Sequence, residues 1–320
     1  MSDPRDTEGD RAVTLFVRLN EKYFEFIREL PSPLARLGQV AGTYVGSADM
    51  EPFLDLEGLN PVLVGTPWLF LETFSELEDE RFVLIAEAGA CFVLASIVLD
   101  HLVDGHFEQP EPIILFQQAL YANGAAKFRD AFPSSSSFWF HFDRLVAAHV
   151  AGIAAELDAQ ANPAGFSMER LLTITHGKVS PVVTTVAALA IASDKPEILE
   201  PIELSLKHIS VASQLLDDLG DWRHDVQVGH MTYYLSCLAP PTVLMSKSLP
   251  STDALESHIN RNWTDIEHLR LIIEWLDRSI EAVQDIDCPR WVGYVTGYRT
   301  LAHRHLLIMT SQHLMRVLRP

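Results

Sequence analysis

Apolar residues recur along most of the chain at the three-and-four spacing of a helix face, and runs of strict alternation are scarce. At that spacing a first helix covers AVTLFVRLNEKYFEFIREL and stops at Pro31-Ser32-Pro33. The stretch 46–67 carries prolines and reads as irregular. Helices are predicted over 69–77, 79–104, 112–130, 137–159, 167–192, 196–226, 253–285 and 289–317. Pro110, Pro112, Pro133, Pro163, Pro196, Pro240 and Pro241 punctuate them. No repeat, glycine-rich nucleotide loop or shift in composition marks a boundary. The pattern therefore predicts one all-α domain over 13–320, preceded by a polar, acidic segment, 1–12, that is expected to be disordered and is unlike a signal peptide.

One segment is greasy on every face. From Phe82 to Leu99 it is long enough to span a bilayer, but Glu87 interrupts it, and Asp100 and Asp104 end it with no basic flank beyond. An acid at mid-bilayer costs about 2.5–3.5 kcal/mol on insertion scales. A helix buried at the centre of a helical domain is the expectation, with no stable membrane insertion.

Charge narrows the partners. Acids outnumber bases 43 to 24, a formal charge of −19, which disfavours nucleic acid and anionic membranes, since both reward clustered Lys and Arg. An anionic substrate would need a cation to bring it in, and a divalent metal is the natural one. Cys91, Cys237 and Cys288 are scattered without metal-ligand spacing, consistent with a reducing, cytoplasmic compartment.

The acids are concentrated in QLLDDLGDWRHDVQVGHMT, Gln214 to Thr232. At 100° per residue, Gln214, Asp217, Asp218, Asp221 and Asp225 fall within about a 100° arc. Val211, Leu215, Leu219 and Trp222 fall on the adjoining arc and are predicted to face the core. A solvated acidic face usually carries compensating lysines at i,i+4, and none occurs between Gln214 and His230. A second acidic pair, Asp100 and Asp104, closes the greasiest helix. Two carboxylate-bearing helices would offer oxygen ligands of the kind Mg²⁺ takes together with water and phosphate.

These elements resemble the class I isoprenoid synthase superfamily, which includes trans-prenyl diphosphate synthases, squalene and phytoene synthases and class I terpene cyclases. DHLVD, Asp100 to Asp104, resembles the first aspartate-rich motif, with His101 in place of its second aspartate. Gln214 to Thr232 resembles the second, with His230 where prenyl synthases carry lysine. Between them THGKVSP resembles the segment whose lysine grips the diphosphate, making Lys178 the counterpart. The ordered set covers about 79–235. The resemblance implies a helical bundle around a central apolar cavity, three Mg²⁺ ions and an allylic prenyl diphosphate as substrate, and a homodimer, the usual state in that superfamily. It implies Asp100, Asp104, Asp217 and Asp221 as metal-binding catalytic groups, with Asp218 and Asp225 in support. Lys178, Gln214 and His230 would serve the diphosphate. Tyr298 and Arg299 stand where cyclases carry an Arg-Tyr pair, in reversed order.

The resemblance also implies a division of function. Chain-elongating synthases carry an early basic segment and arginines after the first motif, and neither is present here; GHFEQPEPIILF follows instead. That departure favours an atypical terpene synthase that ionises one diphosphate and cyclises the cation. The runner-up is a prenyltransferase coupling a prenyl unit to a second prenyl or aromatic acceptor, and a non-catalytic prenyl-binding or partner subunit comes third. Ala95 and Ser96, one turn before Asp100, are small and leave room for a chain of twenty carbons or more. The aromatics of FWFHF, Phe138 to Phe142, and Trp291 are candidate walls for a cation pocket, with core packing as the plainer role.

Overall fold

The computed structural model describes residues 4–41, 64–103, 107, 109–162, 166–238 and 250–318. Among them every regular element is helical and there is no strand. The helices are α1 (Pro4–Glu29), α2 (Ser32–Ala41), α3 (Thr66–Leu69), α4 (Asp79–Val103), α5 (Pro110–Ala131), α6 (Phe138–Ala161), α7 (Met168–Lys178) and α8 (Ser180–Ala192). After a 3₁₀ turn, Pro196–Ile198, come α9 (Leu199–Val228), α10 (Tyr233–Leu238), α11 (Thr252–Asn262), α12 (Thr264–Ala282) and α13 (Pro289–Leu318). The chain forms two compact units.

The first unit comprises 1–146, 180–199 and 286–289, and is organised on α4. This helix packs against α1, α5 and α8, which explains why its sequence shows no polar face. It is the one single helix among the described residues apolar and long enough to cross a membrane, and 78% of its apolar window is buried inside the protein. Glu87, in the middle of that window, is 3% exposed and binds Lys127 of α5 at 3.0 Å. The acid that breaks the hydropathy pattern is thus an internal ion pair, and removing one partner of such a pair costs far more than the pair contributes. Gly124 lets α5 approach the backbone of α4: a Cβ there would lie 2.8 Å from the Ala88 carbonyl oxygen.

The second unit comprises 147–179, 200–285 and 290–320. Its core joins α9, α12 and α13 through a buried polar knot, in which Ser205 and Ser279 bond each other and Trp291 donates its Nε1–H to Ser205 at 2.8 Å. A second cluster, Trp222, Met231, Tyr234, Leu235, Leu238, Leu255 and Ile259, holds α9, α10 and α11 together.

Several expected boundaries differ. The polar N-terminal segment is helical from Pro4 on, where a proline opens the helix. The helix expected at 69–77 is only α3, followed by turns. The single helix expected over 167–192 is bent by 52° into α7 and α8, because Pro181 can donate no N–H to the preceding turn. The helix expected over 253–285 is interrupted at Trp263, which takes a left-handed conformation, φ 58°. Helices α2 and α10 were not anticipated by periodicity.

Candidate active site

The acidic wall lies on α9 of the second unit, and its burial follows the predicted arcs. Val211 and Leu215 are fully buried and Trp222 nearly so, while Leu219 packs against the α10–α11 cluster. Asp217 and Asp221, farthest around the helix from that core, are exposed.

Asp218, nearest the core arc, is 3% exposed. Its Oδ1 accepts from Gln214 Nε2 at 2.9 Å, and its Oδ2 accepts the backbone N–H groups of Tyr233 and Tyr234 at 3.1 and 3.4 Å. Those two amides open α10, so Asp218 satisfies donors that a helix start leaves without partners. Burial nevertheless pushes its carboxyl up to about 6. Gln214 thus holds this carboxylate through its amide N–H.

The exposed acids press on one another. Asp217 keeps surface in water, yet protein atoms crowd its carboxyl; that burial, and then Asp221, push it above the usual carboxylate range. Lys178 and His230 act in the opposite sense on the same group. Asp225, half-buried one turn further on, is pushed up to about 7 by burial and by Asp218, Asp221 and Asp217. A divalent cation would relieve this repulsion, and the donor set, all oxygen, suits a hard ion. Among the described residues no three His, Cys, Asp or Glu side chains are drawn together to hold a metal by themselves. An ion bound by one or two carboxylates, with water and substrate phosphate completing its shell, needs no such cage.

Lys178 reaches this wall through two helix contacts. Ser210 of α9 donates to the carbonyl of Thr175 in α7 at 3.1 Å. At the crossing of α6 and α7 two glycines meet: a Cβ on Gly177 would lie 2.5 Å from the Cα of Gly152. The close approach lets Glu156 of α6 accept from Lys178 Nζ at 2.7 Å.

His230 follows the end of α9. Gly229, φ 74°, turns the chain, and the His230 N–H closes the turn on the Asp225 carbonyl at 2.9 Å, the Schellman pattern. Gln160, near the C-terminal end of α6, holds this turn: its Oε1 accepts the Met231 N–H at 2.8 Å, and its Nε2 lies 3.0 Å from the Met231 carbonyl and 3.2 Å from His230 Nε2.

The other expected residues lie elsewhere. Asp100 is half-buried at the end of α4, in the first unit; Asp104 falls outside the described residues. Ala95 is buried, and Ser96 donates to the Val93 carbonyl. Arg299 of α13 bonds Asp277 of α12 at 2.8 Å in an exposed pair, and the Tyr298 ring is 5.1 Å from that of Tyr294. Phe138 and Phe142 pack with Phe128 in the core, Phe140 is exposed, and Trp291 is the buried anchor described above. Phe138, Phe142 and Trp291 thus fill roles in packing.

Glu156 and Gln160 were missed by the sequence reading. With Gly152 they form an i, i+4, i+8 row on one face of α6, a small residue followed by two polar ones. That row was the available signal.

Comparisons with known proteins agree on the fold. No protein-family model matches the sequence, and no curated protein is significantly similar to it. Solved structures are. A geranylgeranyl pyrophosphate synthase from Corynebacterium glutamicum superposes with a TM-score of 0.69 at 15% identity, over 95% of this chain and 94% of its own. A decaprenyl diphosphate synthase from Rhodobacter capsulatus gives 0.67 at 16%, over 95% and 98%. A geranylgeranyl pyrophosphate synthetase from the archaeon Geoglobus acetivorans gives 0.66 at 18%, over 93% and 98%. The chain has the all-α isoprenoid synthase fold, as the resemblance in its motifs implied.

Proposed function

We propose that the chain is a Mg²⁺-dependent enzyme that ionises an allylic prenyl diphosphate and transfers the prenyl group to a second prenyl or aromatic acceptor, releasing pyrophosphate. The observation that carries the diphosphate reading is local. Asp217 and Asp221, one helical turn apart, press on each other, with the cation of Lys178 and the imidazole of His230 acting on the same carboxylate. Transfer is favoured over cyclisation because the similar structures are named as prenyl diphosphate synthases.

Mg²⁺, when bound, supplies Lewis acidity to the departing diphosphate. Asp217 and Asp221 would hold it. Lys178 neutralises diphosphate oxygens and exchanges Glu156 for them as the substrate arrives. Asp218 and Gln214 tie α9 to the start of α10, which steadies the face that presents Asp217 and Asp221.

The second reading, cyclisation of a single diphosphate, rests on the missing basic segments that would hold isopentenyl diphosphate. Both readings are tested by incubating the protein with Mg²⁺ and allylic diphosphates of ten to thirty-five carbons, alone and with isopentenyl diphosphate, a second prenyl diphosphate or an aromatic acceptor. A product that requires the acceptor supports transfer, and a hydrocarbon formed without one supports cyclisation. Failure to release pyrophosphate from any of them would sink both.

A further inference from the structure

We propose that Gln160 is a positioning residue that fixes the tautomer and place of His230, so that the imidazole meets the diphosphate as a neutral N–H donor instead of the cation a lysine would supply. The inference rests on the reading of His230 as a diphosphate contact.

A primary amide has one acceptor oxygen and two N–H donors, and its orientation follows from its partners. Met231 N–H can only donate, so the atom 2.8 Å from it must be the Gln160 oxygen. The amide nitrogen then faces two groups, the Met231 carbonyl at 3.0 Å and His230 Nε2 at 3.2 Å. It has one N–H for each. His230 Nε2 therefore accepts, and the ring proton belongs on Nδ1. Three bonds from one side chain on α6 thus tie down the two residues that follow Gly229, where a left-handed glycine alone would leave the turn loosely specified. The imidazole is held within electrostatic reach of Asp217, the carboxylate that faces the proposed diphosphate site. A neutral donor repels bound Mg²⁺ less than an ammonium would and still offers a phosphate oxygen a hydrogen bond, which gives the departure from lysine at this position a physical meaning.

The test uses two variants and two readouts. Gln160→Ala removes all three bonds. Gln160→Glu keeps the acceptor for Met231 N–H but turns the donor toward His230 into an acceptor, which draws the ring proton to Nε2. Histidine ¹⁵N NMR of the whole chain, with the His230 signals assigned by their loss in His230→Gln, should show an Nδ1–H tautomer in the wild type and lose it in both variants. Steady-state kinetics on the preferred allylic diphosphate should show KM raised roughly tenfold in both, with kcat changed less than about threefold, and Mg²⁺-dependent binding of inorganic pyrophosphate should weaken in parallel. An unchanged tautomer in Gln160→Glu, or an unchanged KM in both variants, would overturn the proposal. If the wild type binds no pyrophosphate and turns over no prenyl diphosphate, the functional reading falls and takes the substrate half of this inference with it. The NMR still decides whether Gln160 sets the tautomer.

Discussion

Lys178 Nζ donates to Glu156 Oε1 at 2.7 Å, joining the last residue of α7 to the C-terminal part of α6. Both side chains are largely shielded, 23% and 13% exposed, so neither charge tolerates the loss of the other well. Lys178→Met should cut kcat/KM by about a hundredfold, the scale for removing one preorganised positive group, and lower stability by about 1–3 kcal/mol by removing the cation paired with Glu156. The double variant Glu156→Gln/Lys178→Met should recover the stability and none of the turnover. Urea denaturation beside steady-state kinetics reads both; recovery of turnover in the double variant would show that Lys178 serves the fold alone.

Asp218 and Asp217 are adjacent and their removal should do opposite things. Asp218→Ala deletes the acceptor for Gln214, Tyr233 and Tyr234 and should destabilise the protein by about 2 kcal/mol, as a lost buried cap does. Asp217→Asn removes repulsion with Asp221 and should leave stability equal or raised while abolishing Mg²⁺-dependent turnover. Thermal melts and pyrophosphate release, measured on both variants, check the contrast. Equal destabilisation by the two would contradict the division of roles.

The pH dependence of stability carries a signature of the acidic wall. Asp225 is pushed up from 3.8 to about 7 in the folded chain, so between those values the folded state holds a proton that the unfolded state has released. Stability then falls as pH rises through that window. His176 and His268, lowered from 6.5 to about 4 by burial, work the other way: their contribution is lost as pH falls from about 6.5 to 4. The difference between wild type and Asp225→Asn isolates the carboxylate. The variant should melt higher at pH 8, with the gap closing toward pH 4, and millimolar Mg²⁺ at pH 8 should raise the wild-type melting temperature more than the variant's. A gap independent of pH would mean that the acids do not interact as the geometry indicates.

Much of this was legible in the sequence because helix periodicity and acid placement obey one angle. The arc that set Val211, Leu215 and Trp222 against Asp217 and Asp221 was seen in the fold as expected. Less legible were features set by single contacts. Asp218 was grouped with the supporting ligands, yet its two backbone donors belong to α10, a six-residue helix too short to show a period. The break between α7 and α8 was signalled by Pro181 but not its consequence, a lysine placed at the break. Gln160 and Glu156 matter through α7 and the turn after α9, far along the chain, and no local pattern encodes that pairing. The reading of function leaned on missing basic residues and favoured cyclisation, whereas the similar structures are named as prenyl diphosphate synthases.

Three glycines near the site make opposite predictions about space. Gly152 and Gly177 cannot take a side chain in place: added Cβ atoms would lie 2.7 and 2.5 Å from the opposing Cα. Either alanine substitution must push α6 from α7 and should cost at least about 1–3 kcal/mol, the scale of overpacking. It should also loosen both Lys178–Glu156 and the Gln160 turn, so that KM rises along with the loss of stability. Gly220 lies inside α9, between the acids, and a Cβ there meets nothing within 4 Å. A glycine in a helix interior costs about 0.5–1 kcal/mol relative to alanine, so Gly220→Ala should stabilise the protein by that amount. Its effect on turnover is the more telling measurement. If the open space beside Gly220 is where substrate or its hydrated ion sits, Gly220→Ala should raise the melting temperature while raising KM for the diphosphate several-fold. A stabilised variant with unchanged KM would place the substrate further along the wall, toward Asp217 and Lys178.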